Sequence, residues 1–185
     1  MASRRGLILL VLVTALGLPC ARFASAQGGE TVSLTTRDGV QLRISYFPGQ
    51  ARKGSPQAKQ TTPVIFLHDY KGSRAVFAPL VQKLQAVGKA QGEGDRPGFD
   101  AVTVDLRAHG ESTKLANNAQ GELNAAKVNK EDLIAMATND MDAVRSFLVD
   151  KNDDGELNLN KLCLVGSGMG ASVAANWALT DWSYP

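Results

Sequence analysis

The chain has 185 residues, 44% of them hydrophobic and 21% charged, with 20 Lys and Arg against 18 Asp and Glu. That length suits one domain with a sizeable core, since a single core serves roughly 100 to 200 residues. A charge so close to balance, with no Lys/Arg cluster in the domain, excludes a nucleic-acid binder or a protein held electrostatically on an anionic membrane.

The first element is a targeting segment. Arg4 and Arg5 precede an apolar run from Leu7 to Leu18, interrupted by Thr14 and Gly17, and Ala24-Ser25-Ala26 has the small-x-small form of a cleavage site. Residues 1–26 therefore read as a signal peptide and residues 27–185 as the mature domain, secreted or periplasmic. The apolar run is shorter than the ~20 residues that span a bilayer, so no membrane span is expected after cleavage. Leu18 and Pro19 ahead of Cys20 do not suit lipidation. Arg4, Arg5 and Arg22 are the charged residues that leave with this segment, so the mature chain is nearly neutral. Cys163 is then the single cysteine; set in an apolar strand, it is expected to be an inert buried hydrophobe.

Val32 and Leu34 alternate with polar neighbours, Arg37-Asp38-Gly39 turns the chain, and Val40, Leu42, Ile44 and Tyr46 alternate again. Period two on both sides of Asp-Gly predicts an antiparallel hairpin with one buried face. The polar stretch 49–62 is a surface loop. Three short apolar runs follow, Val64 to Leu67, Ala101 to Val104 and Leu162 to Val165, and strands apolar on both faces belong in a parallel sheet covered by helices.

The segments between these strands have helical periodicity. Phe77, Leu80, Leu84 and Val87 predict one helix, with Ser73 available as a cap and Pro79 in its first turns. Asn129, Glu131 and Asp132 open a second, whose packing stripe is Ile134, Ala137, Met141, Val144 and Leu148. A third starts near Gly170, with a small-residue face of Gly170, Ala171, Ala174, Ala175 and Ala178. The fold class is α/β, a mostly parallel sheet with an antiparallel N-terminal hairpin.

Three motifs stand at strand ends: Val64-Ile-Phe-Leu-His-Asp-Tyr70, Val102-Thr-Val-Asp-Leu-Arg-Ala-His-Gly-Glu-Ser112 and Leu162-Cys-Leu-Val-Gly-Ser-Gly-Met-Gly170. Together they resemble the α/β-hydrolase superfamily of esterases, lipases and serine peptidases: the His-Gly loop after the third strand, the D-x-R-G-H-G-x-S stretch after the fourth, and the G-x-S-x-G nucleophile elbow. The resemblance covers nearly all of the mature chain, read as a partial α/β-hydrolase domain, and implies acyl hydrolysis by a serine, a histidine and an acid with backbone donors for the oxyanion.

Several departures count against that activity. The elbow aligns as Gly166-Ser167-Gly168-Met169-Gly170, so Gly168 holds the nucleophile position. Ser167 is the substitute candidate, and its alternative is simply a small residue in a crowded turn. By resemblance the oxyanion donors are the N–H of Met169 and of Asp69 or Tyr70, but Asp69 stands where glycine is common and brings a carboxylate to that hole. His68 borders the site, with shaping of its loop as the expected role, while His109 with Asp105 and Arg107 is expected to hold the turn after the fourth strand. The acid and the late histidine of the family pattern find no match; by resemblance the chain stops after the elbow helix, leaving the elbow strand at an edge. A hydrolase-like pseudoenzyme is the expectation, with a non-catalytic binding or interaction domain, for a small molecule or a protein, and a weak Ser167 hydrolase as alternatives. No cofactor is implied. Asp150, Asn152, Asp154 and Gly155 also fit the first half of a calcium loop, but Lys161 takes the place of its closing glutamate.

Overall fold

The computed structural model describes residues 29–90, 98–116 and 122–181. The signal-peptide reading of residues 1–26 lies outside the described residues. Among the described residues there are six strands and four α-helices, in the order β1 (Glu30–Thr35), β2 (Val40–Phe47), β3 (Thr62–Leu67), α1 (Ala78–Ala90), β4 (Phe99–Asp105), β5 (Lys114–Leu115), α2 (Lys130–Ala135), α3 (Met141–Asp153), β6 (Cys163–Gly166) and α4 (Met169–Asp181).

The hairpin forms as its alternation predicts. β1 and β2 pair antiparallel from Glu30 with Tyr46 to Thr35 with Gln41, and Val40, Leu42, Ile44 and Tyr46 are all buried. Gly39 supplies the positive φ of the turn, 84°. The sheet order is β1-β2-β4-β3-β6, with β5 added as a two-residue pairing to Val40 and Gln41. β3 lies parallel between β4 and β6, and β4 runs antiparallel to β2. The apolar runs of β3 and β4 are buried on both faces because helices flank the sheet. On one face Ile44, Tyr46, Ile65, Leu67, Val102 and Val104 pack with residues from the α3 and α4 region; on the other, Val64, Phe66 and Ala101 pack with Val81 of α1.

Three sequence expectations are corrected. In this segment Phe77 and Leu84 of the expected stripe pack on the core with Val81, which is 1% exposed, while Leu80 and Val87 are 42% and 46% exposed; a 3₁₀ turn over Arg74–Phe77 precedes the α-helix and shifts its phase. The second helix is opened by a capping box, Asn129 with Asp132, but then passes through a π-helical segment, Met136–Asp140, before α3. The wider turn rotates the face, so Met136 is buried in place of the expected Ile134. In α4 the buried side is Gly170, Val173, Ala174 and Trp177, and Ala171 and Ala175 face outward.

Cys163 is also corrected: it is exposed. Among the described residues β6 pairs only with β3, and Cys163 sits on the face of β6 that faces away from α4. The stretch 49–62 is not wholly a surface loop, since Ala58 and Thr61 are fully buried around a short 3₁₀ turn, Ala58–Gln60. The run from Asp150 is the last turn of α3 and its exit. Asn152 Oδ1 accepts from Leu159 N at 3.0 Å and Asp154 pairs with Lys53 at 2.9 Å, so these oxygens serve the helix end and the loop beside it.

Candidate active site

β3 and β6 run parallel and in register, Leu67 opposite Gly166, so the loops that follow them leave the sheet side by side. The elbow is held against β3 by Ser167 N donating to Leu67 O at 3.0 Å. Its glycines answer to close approach. A Cβ on Gly166 would meet the Ala171 backbone at 2.5 Å, and one on Gly170 would strike the carbonyls of Leu67 and His68. Gly168, at the apex, has φ 49°, the left-handed conformation that costs an L side chain roughly 1–2 kcal/mol.

The direction in which Gly168 would carry a side chain is occupied. A Cβ built there falls on the carboxyl carbon and both oxygens of Asp69. Asp69 Oδ1 accepts two backbone hydrogen bonds, from Tyr70 N at 2.7 Å and from Met169 N at 2.7 Å. From sequence the oxyanion donors were Met169 and either Asp69 or Tyr70; the N–H groups of Met169 and Tyr70 are brought together and both given to a carboxylate of the chain itself. The bonds from Met169 and Tyr70 hold the Asp69 carboxyl below the usual carboxylate range, so it is anionic at neutral pH. Asp69, Tyr70, Ser167 and Gly168 are exposed, and Oδ2 of Asp69 accepts no hydrogen bond among the described residues.

The two histidines are placed differently from bases. His68 is fully buried. Its Nδ1 lies 2.7 Å from Asp69 O and its Nε2 lies 3.2 Å from Leu106 N, which donates to it. Nδ1 therefore carries the proton, and both nitrogens are occupied. Burial pushes the His68 pKa down, keeping the ring neutral. His109, 2% exposed, has Nδ1 at 2.8 Å from Arg107 O, while its Nε2 is buried without a partner among the described residues. The rings of His68 and His109 lie 5.2 Å apart, and Tyr70 meets His109 edge-on at 5.8 Å. Ser167 has no hydrogen bond from its hydroxyl to either histidine.

The loop after β4 is held by a polar frame that sequence reading reached only in part. Asp105 accepts from Arg74 N at 2.6 Å and Glu111 N at 2.9 Å, and pairs with the Arg74 guanidinium. Arg107, almost buried, bonds Asp140 through Nη2 at 2.5 Å and Asp38 through Nη1 at 2.7 Å, tying the π-helical segment and the hairpin turn to the loop. Burial raises the Asp38 carboxyl, but its bonds to Arg107 and Thr36 outweigh that and hold it at about 2. Arg74 and Asp140 have no local sequence signal, because their partners lie 31 and 33 residues away. Ala108 sits where the family pattern has glycine and keeps a φ of 65°.

No protein-family model matches the sequence, and no curated protein matches it. Solved structures do. A carboxyl esterase from Bacillus coagulans is similar with a TM-score of 0.57 at 16% identity over 85% of this chain and 42% of its own. A peroxisomal alpha-beta-hydrolase from Saccharomyces cerevisiae is similar with a TM-score of 0.57 at 18% identity over 83% and 40%. An esterase from Pyrococcus furiosus is similar with a TM-score of 0.53 at 22% identity over 84% and 45%. This chain thus spans less than half the length of each, and at such identities the likeness is one of fold.

Proposed function

We propose that this chain, which has the α/β-hydrolase fold, is a secreted hydrolase-like protein that does not carry out acyl hydrolysis. One observation carries the reading: the Asp69 carboxylate fills both the space of the missing nucleophile at Gly168 and the two N–H donors, Tyr70 and Met169, that an oxyanion would need. Acyl transfer depends on donors that are free to receive developing negative charge, and removing one such donor costs about 10²–10³ in rate. Here an anion already holds both. Among the described residues neither histidine ring is hydrogen-bonded to a serine hydroxyl, and His68 is spent on the backbone of its own loop and of Leu106.

Secretion is supported by the Arg4-Arg5, apolar-run and Ala24-Ser25-Ala26 pattern. The test of the whole reading is direct. The chain lacking residues 1–26 is assayed against short aryl esters beside its Ser167→Ala variant, and the N-terminus of the exported product is sequenced. Hydrolysis at the uncatalysed rate in both, with Gln27 as the first residue, is the expected result. Turnover that Ser167→Ala abolishes would overturn the catalytic part, and an intact Met1 would overturn the secretory part.

A further inference from the structure

We infer that the α1 side of the hairpin carries a binding site for a neutral, polyhydroxylated molecule of monosaccharide size. A cavity of about 480 Å³ lies there, between the sheet, the 3₁₀ turn that leads into α1 and the loop after β4. That volume falls within the roughly 300–1,000 Å³ common to small-molecule sites. The cavity shares no lining residue with the elbow, with Asp69 or with either histidine.

Its floor follows from the period of two in neighbouring strands. Thr31 of β1 stands opposite Ser45 of β2, and Ser45 stands opposite Thr103 of β4, so a row of hydroxyl side chains crosses the floor. In the next row on one side Phe47 lies opposite Ala101, and on the other Arg43 lies opposite Asp105. The floor is thus apolar at one end and charged at the other, and Ala75 and Ala78 give it a wall of small side chains. At the charged end Arg74 Nε donates to Ser45 Oγ at 3.0 Å, Nη2 donates to Glu111 Oε2 at 2.7 Å, and Nη1 pairs with Asp105. Ser45 therefore accepts one hydrogen bond and keeps its own proton to donate, while Glu111 Oε1 accepts none among the described residues.

These charges select against ions. The hydrogen bond and charge of Arg74, with the charge of Arg43, hold the Glu111 carboxyl below the usual carboxylate range, so two guanidinium groups balance the carboxylates of Asp105 and Glu111. An anion would meet both carboxylates with Arg74 already engaged, and a cation would meet the guanidinium groups, so either would be desolvated without a free partner. A neutral polyol meets neither obstacle. Its hydroxyls can accept from Ser45 and donate to Glu111 Oε1, since each hydroxyl is both donor and acceptor, and its C–H surface can rest on Phe47, Ala75 and Ala78.

Every strand and helix named above begins after Gly29, so the test uses isotope-labelled chain lacking residues 1–26. Its amide NMR spectrum is followed as D-glucose, D-galactose or D-mannose is added, with inorganic phosphate and tetramethylammonium chloride as charged probes. At least one sugar is expected to shift the amides of Thr31, Ser45, Arg74 and Glu111 saturably, with a dissociation constant on the order of 1–10 mM, and to bind more tightly than either charged probe. No saturable shift at those amides with any of the sugars up to about 100 mM overturns the proposal, as does a charged probe that binds there as tightly as the best sugar. Two variants tie the shifts to the cavity. Ser45→Ala removes a floor hydroxyl and should weaken binding about threefold to tenfold, whereas Ala78→Trp fills the space without removing a polar group and should abolish it. Weaker binding in either variant supports the assignment, and unchanged affinity in both overturns it. If Ala78→Trp gives no folded spectrum, Ser45→Ala alone decides. The cavity stands apart from the elbow, so either outcome leaves the absence of ester hydrolysis to its own assay.

Discussion

At the residue scale the site is a matched pair. Gly168 is tolerated because Asp69 fills its side-chain space, and Asp69 is seated because Gly168 leaves that space open. Gly168→Ser must adopt φ 49° and displace the carboxylate, so it is expected to destabilise the chain by about 2–3 kcal/mol, the left-handed backbone contributing about 1–2 of this. In an Asp69→Gly background only the backbone part should remain. Urea unfolding of the four chains gives the coupling directly, and strictly additive effects would show that the two residues do not share the space. The spacing of Gly166, Gly168 and Gly170 made the elbow legible in sequence. The direction of Asp69 was not, because it depends on two loops that meet a hundred residues apart in the chain.

Elements add electrostatics that sit away from the elbow. At the start of β4, Asp100 is 1% exposed and accepts from Tyr46 Oη at 3.2 Å and from Gly49 N. Burial outweighs these bonds and pushes its carboxyl up to about 6. A group whose pKa is raised by folding favours the native state in its protonated form, so this contribution is complete below about pH 4 and is lost as pH rises through 6. The loss is on the order of 2–3 kcal/mol. Asp100→Asn, which keeps the shape but cannot ionise, should therefore gain on the parent chain by about that amount between pH 4 and pH 7.5 in urea midpoints. Parallel stability curves for the two would count against the buried carboxyl. The hairpin, β3 and β4 were readable because period two and unbroken apolar runs report burial directly, whereas the apolar run of β6 forms a strand with no buried residue because it pairs on one side only among the described residues. The helix faces were less so: the 3₁₀ entry to α1 and the π segment before α3 each shift the phase, and neither leaves a periodic signal. The π segment has a structural return, since it presents Asp140 to the buried guanidinium of Arg107, a charge that would be costly to leave unpaired.

For the whole molecule the sheet order decides the weakest surface. Among the described residues β1 and β6 flank the sheet, and they differ in what they show. β1 carries Glu30, Thr31, Ser33 and Thr35 among its two apolar residues; β6 is Cys163-Leu-Val-Gly, without a charge. Native edges are commonly protected by charged side chains, lysine above all, because an open strand is a template for another chain. Among the described residues nothing pairs with the outer side of β6, and Cys163 is exposed on one face of that strand. Cys163→Lys places a charge on that edge without entering the core, and it removes the exposed thiol at the same time. Light scattering of the chain lacking residues 1–26, kept reduced and followed from low to high micromolar concentration, should show association lowered several-fold in this variant relative to Cys163→Ser. The serine variant separates the edge from the thiol: if Ser and Lys suppress association equally, disulfide exchange rather than strand pairing is the cause. If neither changes it, the contact between molecules lies on another face of the domain.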